Sequence, residues 1–271
     1  MLTPASDAAD NPDMIRRIML GVLSGVLLSG PTLAQPACKL TPIGTAEVAA
    51  VRDGRTLSLA DGRILRLAGI EATDAGRAAL ARLAIGKRLR LAATGPARDR
   101  YGRLVGFAFA GNSSHSLQQV LLAAGAALVG ARAGGMACAR PLLAAEAEAR
   151  AVRRGIWADS RYRPQKAGDL TRLRGDRGRF TLVEGKVLSV HPSGGTIYLN
   201  FGRRWTRDFS VLIVRRRRPA FAAAGLDPLR LKGRTILVRG VVEIRRGPLI
   251  EAEAPEQIEL TDSAAVLRAS Q

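Results

Sequence analysis

Arg66 stands shortly ahead of two carboxylates, Glu71 and Asp74, at the end of the stretch VRDGRTLSLADGRILRLAGIEATD, residues 51–74. A cation beside paired carboxylates at a strand end is what phosphodiester chemistry would use, because a guanidinium matches the paired oxygens of a phosphate. The same residues also suit the surface hairpin of any small β-barrel. A second candidate group lies later: Arg203, Arg204, Trp205, Arg207, Arg215 and Arg216, with Phe201 and Phe209 interleaved and Arg245-Arg246 further on. Cationic grooves with aromatic platforms hold single-stranded nucleic acid. The plainer alternative is that the aromatics fill a small core and the arginines form a solvated rim. His115 and His191 are isolated and carry no ligand pattern.

The elements that must position these residues are mostly strands. Thr56–Ala60 and Arg63–Ile70 read as a hairpin joined at Asp61-Gly62, since glycine supplies the positive φ of a tight turn. Gly44–Val51 reads as the strand before it. Ala75–Ile85 reads as a short helix stopped by Gly86. Arg88–Ala93 and Arg103–Ala110 read as further strands, and Leu117–Ala127 and Pro141–Arg154 as helices, with Pro141 at a first helical position. Residues 159–179 read as a basic linker. A second β-rich unit over 180–262 shows strands at Phe180–Val190, Thr196–Phe201, Phe209–Val214, Thr235–Arg245 and Leu249–Ala254, with an insertion at Pro219–Leu231. The fold class expected is mainly β with α (α+β): a five-stranded barrel with three helices, then a second small barrel.

The 271 residues carry a formal net charge of +19 with 47% hydrophobic residues. That excludes global disorder and points to polyanionic partners, nucleic acid or an anionic surface. Nearly all the basic residues are Arg in an Ala- and Gly-rich chain, so compositional bias is the competing explanation. Residues 1–34 read as a secretory signal peptide, with Met14 as an alternative start: basic Arg16-Arg17, an apolar run Ile18–Leu28, and a small-residue cleavage site at Thr32-Leu33-Ala34. The apolar run is too short for a membrane span, which needs about 20 residues. A secreted or periplasmic location follows as an expectation, with an N-terminal anchor as the alternative. In an oxidising compartment Cys38 and Cys138 pair as one disulfide; two free buried thiols are the alternative.

Three spaced motifs resemble the thermonuclease family, the staphylococcal-nuclease-like OB-fold enzymes. They are Asp53-Gly54-Arg55-Thr56 running into Asp61-Gly62 through Asp74, then Asp99-Arg100-Tyr101-Gly102-Arg103, and then Glu146 to Glu148 followed by Arg154-Gly155-Ile156-Trp157. The resemblance covers roughly residues 44–158, and it implies an OB-barrel there and Ca²⁺-dependent phosphodiester hydrolysis. It assigns Arg66 and Arg103 to the phosphate, Asp74 to the general-base position, and Glu71 to a metal-ligand position, with Asp53 as a weaker metal candidate. The first metal-ligand aspartate of the family pattern is Arg55 here. A guanidinium there argues against Ca²⁺ and for a third phosphate-binding arginine; the alternative is that Arg55 simply pairs with Asp53, Glu71 or Asp74 on a degenerate barrel. The second unit resembles the C-terminal extension of some secreted thermonuclease-like proteins. The function expected is an exported protein that binds nucleic acid, with hydrolysis weakened or lost. The alternatives are an active nuclease with an altered metal site and a non-catalytic envelope interaction module.

Overall fold

A computed structural model of the chain describes residues 37–262; the expected signal peptide lies outside them. The first half contains β1 (Thr41–Asp53), β2 (Thr56–Leu59), β3 (Ile64–Leu67), β4 (Ile70–Glu71), α1 (Asp74–Ala84), β5 (Arg88–Ala93), β6 (Leu104–Ala110), α2 (Leu117–Ala123), β7 (Leu128–Val129) and α3 (Met136–Ala151). Five of these strands close a barrel in the order β1-β2-β3-β6-β5. β1 serves twice: Thr41 to Glu47 pair with β5, and Val48 to Asp53 with β2. β3 and β6 run parallel, which the helix α1 and strand β5 between them make possible. Alternation then sends Leu57, Leu65, Leu67, Leu89 and Leu91 into one core.

Several boundaries depart from the sequence reading, each for a local reason. The second hairpin strand ends at Leu67, because Gly69 adopts φ +76° and packs so close to Leu142 that a Cβ would meet its Cδ1 at 2.8 Å. Ile70-Glu71 then leaves the barrel to pair with β7. The helix expected to reach Ala127 stops at Ala123, with Gly125 at φ +64° just beyond. The next helix starts at Met136, so Pro141 sits inside it and not at its first position. Cys138 therefore lies in the first turn of α3, where it bonds Cys38, and not in a preceding loop. Thr73 caps α1: its Oγ1 accepts from Gly76 N at 3.1 Å and donates to the Ala126 carbonyl at 2.7 Å.

The second half holds β8 (Gln165–Lys166), α4 (Leu170–Gly175), β9 (Phe180–Lys186), β10 (Ser189–Ser193), β11 (Thr196–Asn200), β12 (Ser210–Val214), α5 (Arg218–Ala223), β13 (Thr235–Ile244), β14 (Pro248–Glu251) and β15 (Ile258–Leu260). The segment read as a linker thus carries β8 and α4, packed on the second sheet. The strand expected over Phe180–Val190 is bent into β9 and β10 at Val187-Leu188. Its first part pairs with β13 and its second with β11, the double duty that β1 performs. Along β10-β11-β12-β14-β13-β9 the order and the single parallel pair, β12 with β14, repeat those of the first barrel. Phe201 and Phe209 stack tilted at 5.1 Å, Phe209 fully in the core, which corrects their reading as exposed platforms.

The described residues pack as one compact unit. Trp157, at the end of the first half, is buried with Leu128 and Ala149 against Leu182 of β9 and Leu237 of β13. Beside this cluster Arg239 of β13 is wholly buried and crosses to the first half. Its Nη1 reaches Glu146 at 2.8 Å and donates to the Val129 carbonyl at 3.2 Å, while its Nη2 pairs with Glu259. Glu146 is held in turn by the Val129 N–H at 2.7 Å. Burial pushes the Arg239 guanidinium down, but the two carboxylates outweigh it and leave the group above its ordinary value.

Candidate functional site

The register of the first barrel brings three arginines to one edge. Thr56, next to Arg55, pairs with Arg66, and Leu65 pairs with Leu104, next to Arg103. Arg55 is fixed: its Nη1 donates to Glu71 Oε2 at 2.7 Å and to the Ile70 carbonyl at 3.0 Å, and its backbone N–H donates to Asp53 Oδ1 at 2.8 Å. Arg103 is fixed too, with Nε and Nη2 both 2.8 Å from Asp99 Oδ2 and its guanidinium 5.1 Å from the centre of the Tyr101 ring. Slight burial pushes Asp99 up, but the guanidinium and the backbone N–H groups of Tyr101 and Arg103 outweigh it and hold Asp99 below its ordinary 3.8.

Arg66 differs from both. It is half-buried and makes neither a hydrogen bond nor an ion pair with any described residue. Its guanidinium is pushed below its ordinary value first by burial, then by the positive charges of Arg55 and Arg103, with Glu71 and Asp53 opposing. A desolvated cation repelled by two neighbours is relieved by an anion, and a phosphate has the matching geometry.

The acidic residues are less well assembled. Glu71 is taken by Arg55. Asp53 is exposed and spends an oxygen on the turn to Arg55. Asp74 is exposed in the first turn of α1 and makes no hydrogen bond within the described residues. Among the described residues no group of three or more His, Cys, Asp or Glu side chains could hold a metal ion. The Arg55 guanidinium sits on Glu71 Oε2, the oxygen that the family resemblance would give to Ca²⁺, so these residues as arranged do not fit the ion.

Residues 70–159 match the family model described as Staphylococcal nuclease homologue. The chain carries a staphylococcal-nuclease-like domain. The match starts beyond Arg55 and Arg66, so barrel register alone joins those two to Arg103 within the staphylococcal-nuclease-like domain. No curated protein matches the chain. A domain of this type points to nuclease-type or nucleic-acid-binding function. No helix among the described residues is long and apolar enough to cross a membrane.

The second group of candidate residues separates. Arg203 and Trp205 line a cavity of about 1020 Å³ over the second sheet, together with Arg245 and Arg246. Arg204, Arg207, Arg215 and Arg216 do not line it. Arg215 and Arg216 fall in a 3-10 turn after β12. Sequence reading missed Arg239, whose signal was a lone arginine closing the apolar run Ile236-Leu237-Val238.

Proposed function

We propose that the chain is an exported nucleic-acid-binding protein whose first barrel holds phosphodiester oxygens with Arg66, Arg103 and Arg55, and whose Ca²⁺-dependent hydrolysis is weak or lost. The observation that carries this reading is the Arg55 guanidinium seated 2.7 Å from Glu71, where the family pattern calls for an aspartate beside a metal ion. Arg55 supplies as a fixed side chain part of the positive charge that the ion would bring. Arg66, without a counter-ion, offers both edges of its fork to a phosphate, and Arg103 is pre-oriented by Asp99. These interactions hold a backbone; they do not generate a nucleophile. Asp74 retains a carboxylate in the general-base position, but no described group orients it. The leader pattern over 14–34 and the Cys38–Cys138 bond support export.

The test is binding of a labelled single-stranded oligonucleotide in EDTA across a salt series. Binding persists without divalent ions, and Arg66→Ala lowers the affinity and flattens the salt slope by about 0.7 for each phosphate that the variant no longer neutralises. An Arg66→Ala protein that is folded and binds like the wild type contradicts the reading.

A further inference from the structure

We infer that the cavity over the second sheet is a separate binding site for unpaired nucleotides of a single strand, with Trp205 as its stacking platform. It does not depend on the first barrel. Alternation along the strands builds the floor. Ile197 and Leu199 of β11 point into the core, so Tyr198 and Asn200 face outward; Val211 and Ile213 of β12 point inward, so Ser210 and Leu212 face outward with them. Leu249 of β14 continues this surface. An outward sheet face carrying Tyr198, Leu212 and Leu249 under a concave roof is apolar enough to take the flat faces of bases and polar enough at Asn200 and Ser210 to meet their edges.

Two loops form the roof. One joins β11 to β12 and carries Arg203 and Trp205; the other joins β13 to β14 and carries Arg245 and Arg246. They touch directly: a Cβ on Gly247 would meet the Arg207 backbone at 2.8 Å, so only glycine lets them close on each other. Trp205 is 63% exposed, an uncommon state for tryptophan, and the Arg246 guanidinium lies 5.8 Å from the centre of its ring. Arg203 and Arg246 have no carboxylate partner among the described residues, whereas Arg245 reaches Glu243 at 3.2 Å and Glu251 at 3.8 Å. No Asp or Glu lines the cavity. The charge is complementary to phosphate. The exposed ring and apolar floor ask for aromatic faces, which a duplex keeps stacked inside itself and an unpaired strand presents. The volume, at the upper end of the ~300–1,000 Å³ range of small-ligand clefts, suits a short stretch of strand.

The chain carries its own probe. Of its two tryptophans, Trp157 is fully buried and Trp205 is exposed, so quenching of intrinsic fluorescence on stacking reports Trp205. Full-length protein is titrated in EDTA with oligo(dT), with a duplex of equal length and with poly-glutamate, alongside fluorescence anisotropy of a labelled oligo(dT). Saturable quenching by oligo(dT) and not by duplex is expected, unchanged in Arg66→Ala. Paired Arg203→Ala and Arg246→Ala should weaken it, and Trp205→Leu should lower oligonucleotide affinity roughly 5- to 100-fold. Oligonucleotide binding without quenching, abolished in Arg66→Ala, overturns the groove and leaves the first-barrel reading standing. Quenching that persists while Arg66→Ala leaves total binding and its salt slope untouched supports the groove and removes the first-barrel reading. Equal quenching by poly-glutamate or by duplex overturns the assignment to an unpaired strand.

Discussion

Replacing Arg55 by aspartate should turn the first-barrel site from a metal-excluding one into a metal-binding one. A Ca²⁺ ion on Glu71 Oε2 at about 2.4 Å would lie within about 5 Å of the Arg55 Nη1 that now sits 2.7 Å from the same oxygen. At that separation the repulsion between a divalent ion and a guanidinium is about 7 kcal/mol at an effective dielectric of 20, a value suited to side chains that are roughly a fifth to a quarter exposed. A millimolar metal site supplies only about 4 kcal/mol of binding, so the repulsion wins. Arg55→Asp removes the opposing charge and adds a third carboxylate beside Asp53 and Glu71. The expected outcome is stoichiometric Ca²⁺ binding with an affinity near 0.1–1 mM, in the range of extracellular calcium modules, with Ca²⁺-dependent cleavage of a single-stranded oligonucleotide appearing above the wild-type level. Isothermal titration calorimetry reads the first and a fluorogenic oligonucleotide the second. A folded Arg55→Asp protein that gains neither would refute the electrostatic argument.

Three other outcomes follow from the packing and the charge network. Arg239→Met takes the nearest cation from buried Glu146 and part-buried Glu259 and leaves both to share Arg150 at 3.6 and 3.5 Å, so urea unfolding should show a loss of up to about 3–5 kcal/mol at pH 7. Opening the Cys38–Cys138 bond, which closes a loop with a sequence separation of 100, should lower stability by up to about 4–5 kcal/mol in the chain-entropy view, and equal melting points for the oxidised protein and a Cys38→Ala, Cys138→Ala variant would contradict that. Asp99 titrates below its ordinary value, so its hold on Arg103 is complete above pH 3.8 and is lost only as the pH falls through the depressed value; Asp99→Asn should weaken oligonucleotide binding several-fold at neutral pH while near- and far-ultraviolet dichroism stay unchanged.

Much of the first barrel was legible because its punctuation is local. Asp61-Gly62 marks a hairpin, with Gly62 at φ +82°, and Gly86 at φ +71° ends the α1 region as read. The three site arginines were legible as residue types, but their meeting depends on the parallel pairing of β3 with β6, which residue spacing does not express. Pro141 misled because prolines favour first turns, whereas α3 begins earlier at Met136, where the disulfide and the packing of Cys138 and Ala139 anchor the start of the helix. The Phe180–Val190 run looked like one strand because apolar alternation continues through Val187; the bend is set by closure of the second sheet, a long-range demand. Phe201 and Phe209 could not be told from Trp205 by composition, since all three lie among arginines and only the fold sends two of them inward. Arg239 was hidden for the converse reason: its partners Glu146 and Glu259 are distant in sequence.

The most direct measurement is calorimetric titration of the wild-type protein with CaCl₂, repeated on Glu71→Gln. No saturable heat up to several millimolar, and no difference between the two proteins, is expected. One Ca²⁺ bound at micromolar to low-millimolar affinity, and abolished by Glu71→Gln, would show that Arg55 yields the site to the ion and would contradict that expectation.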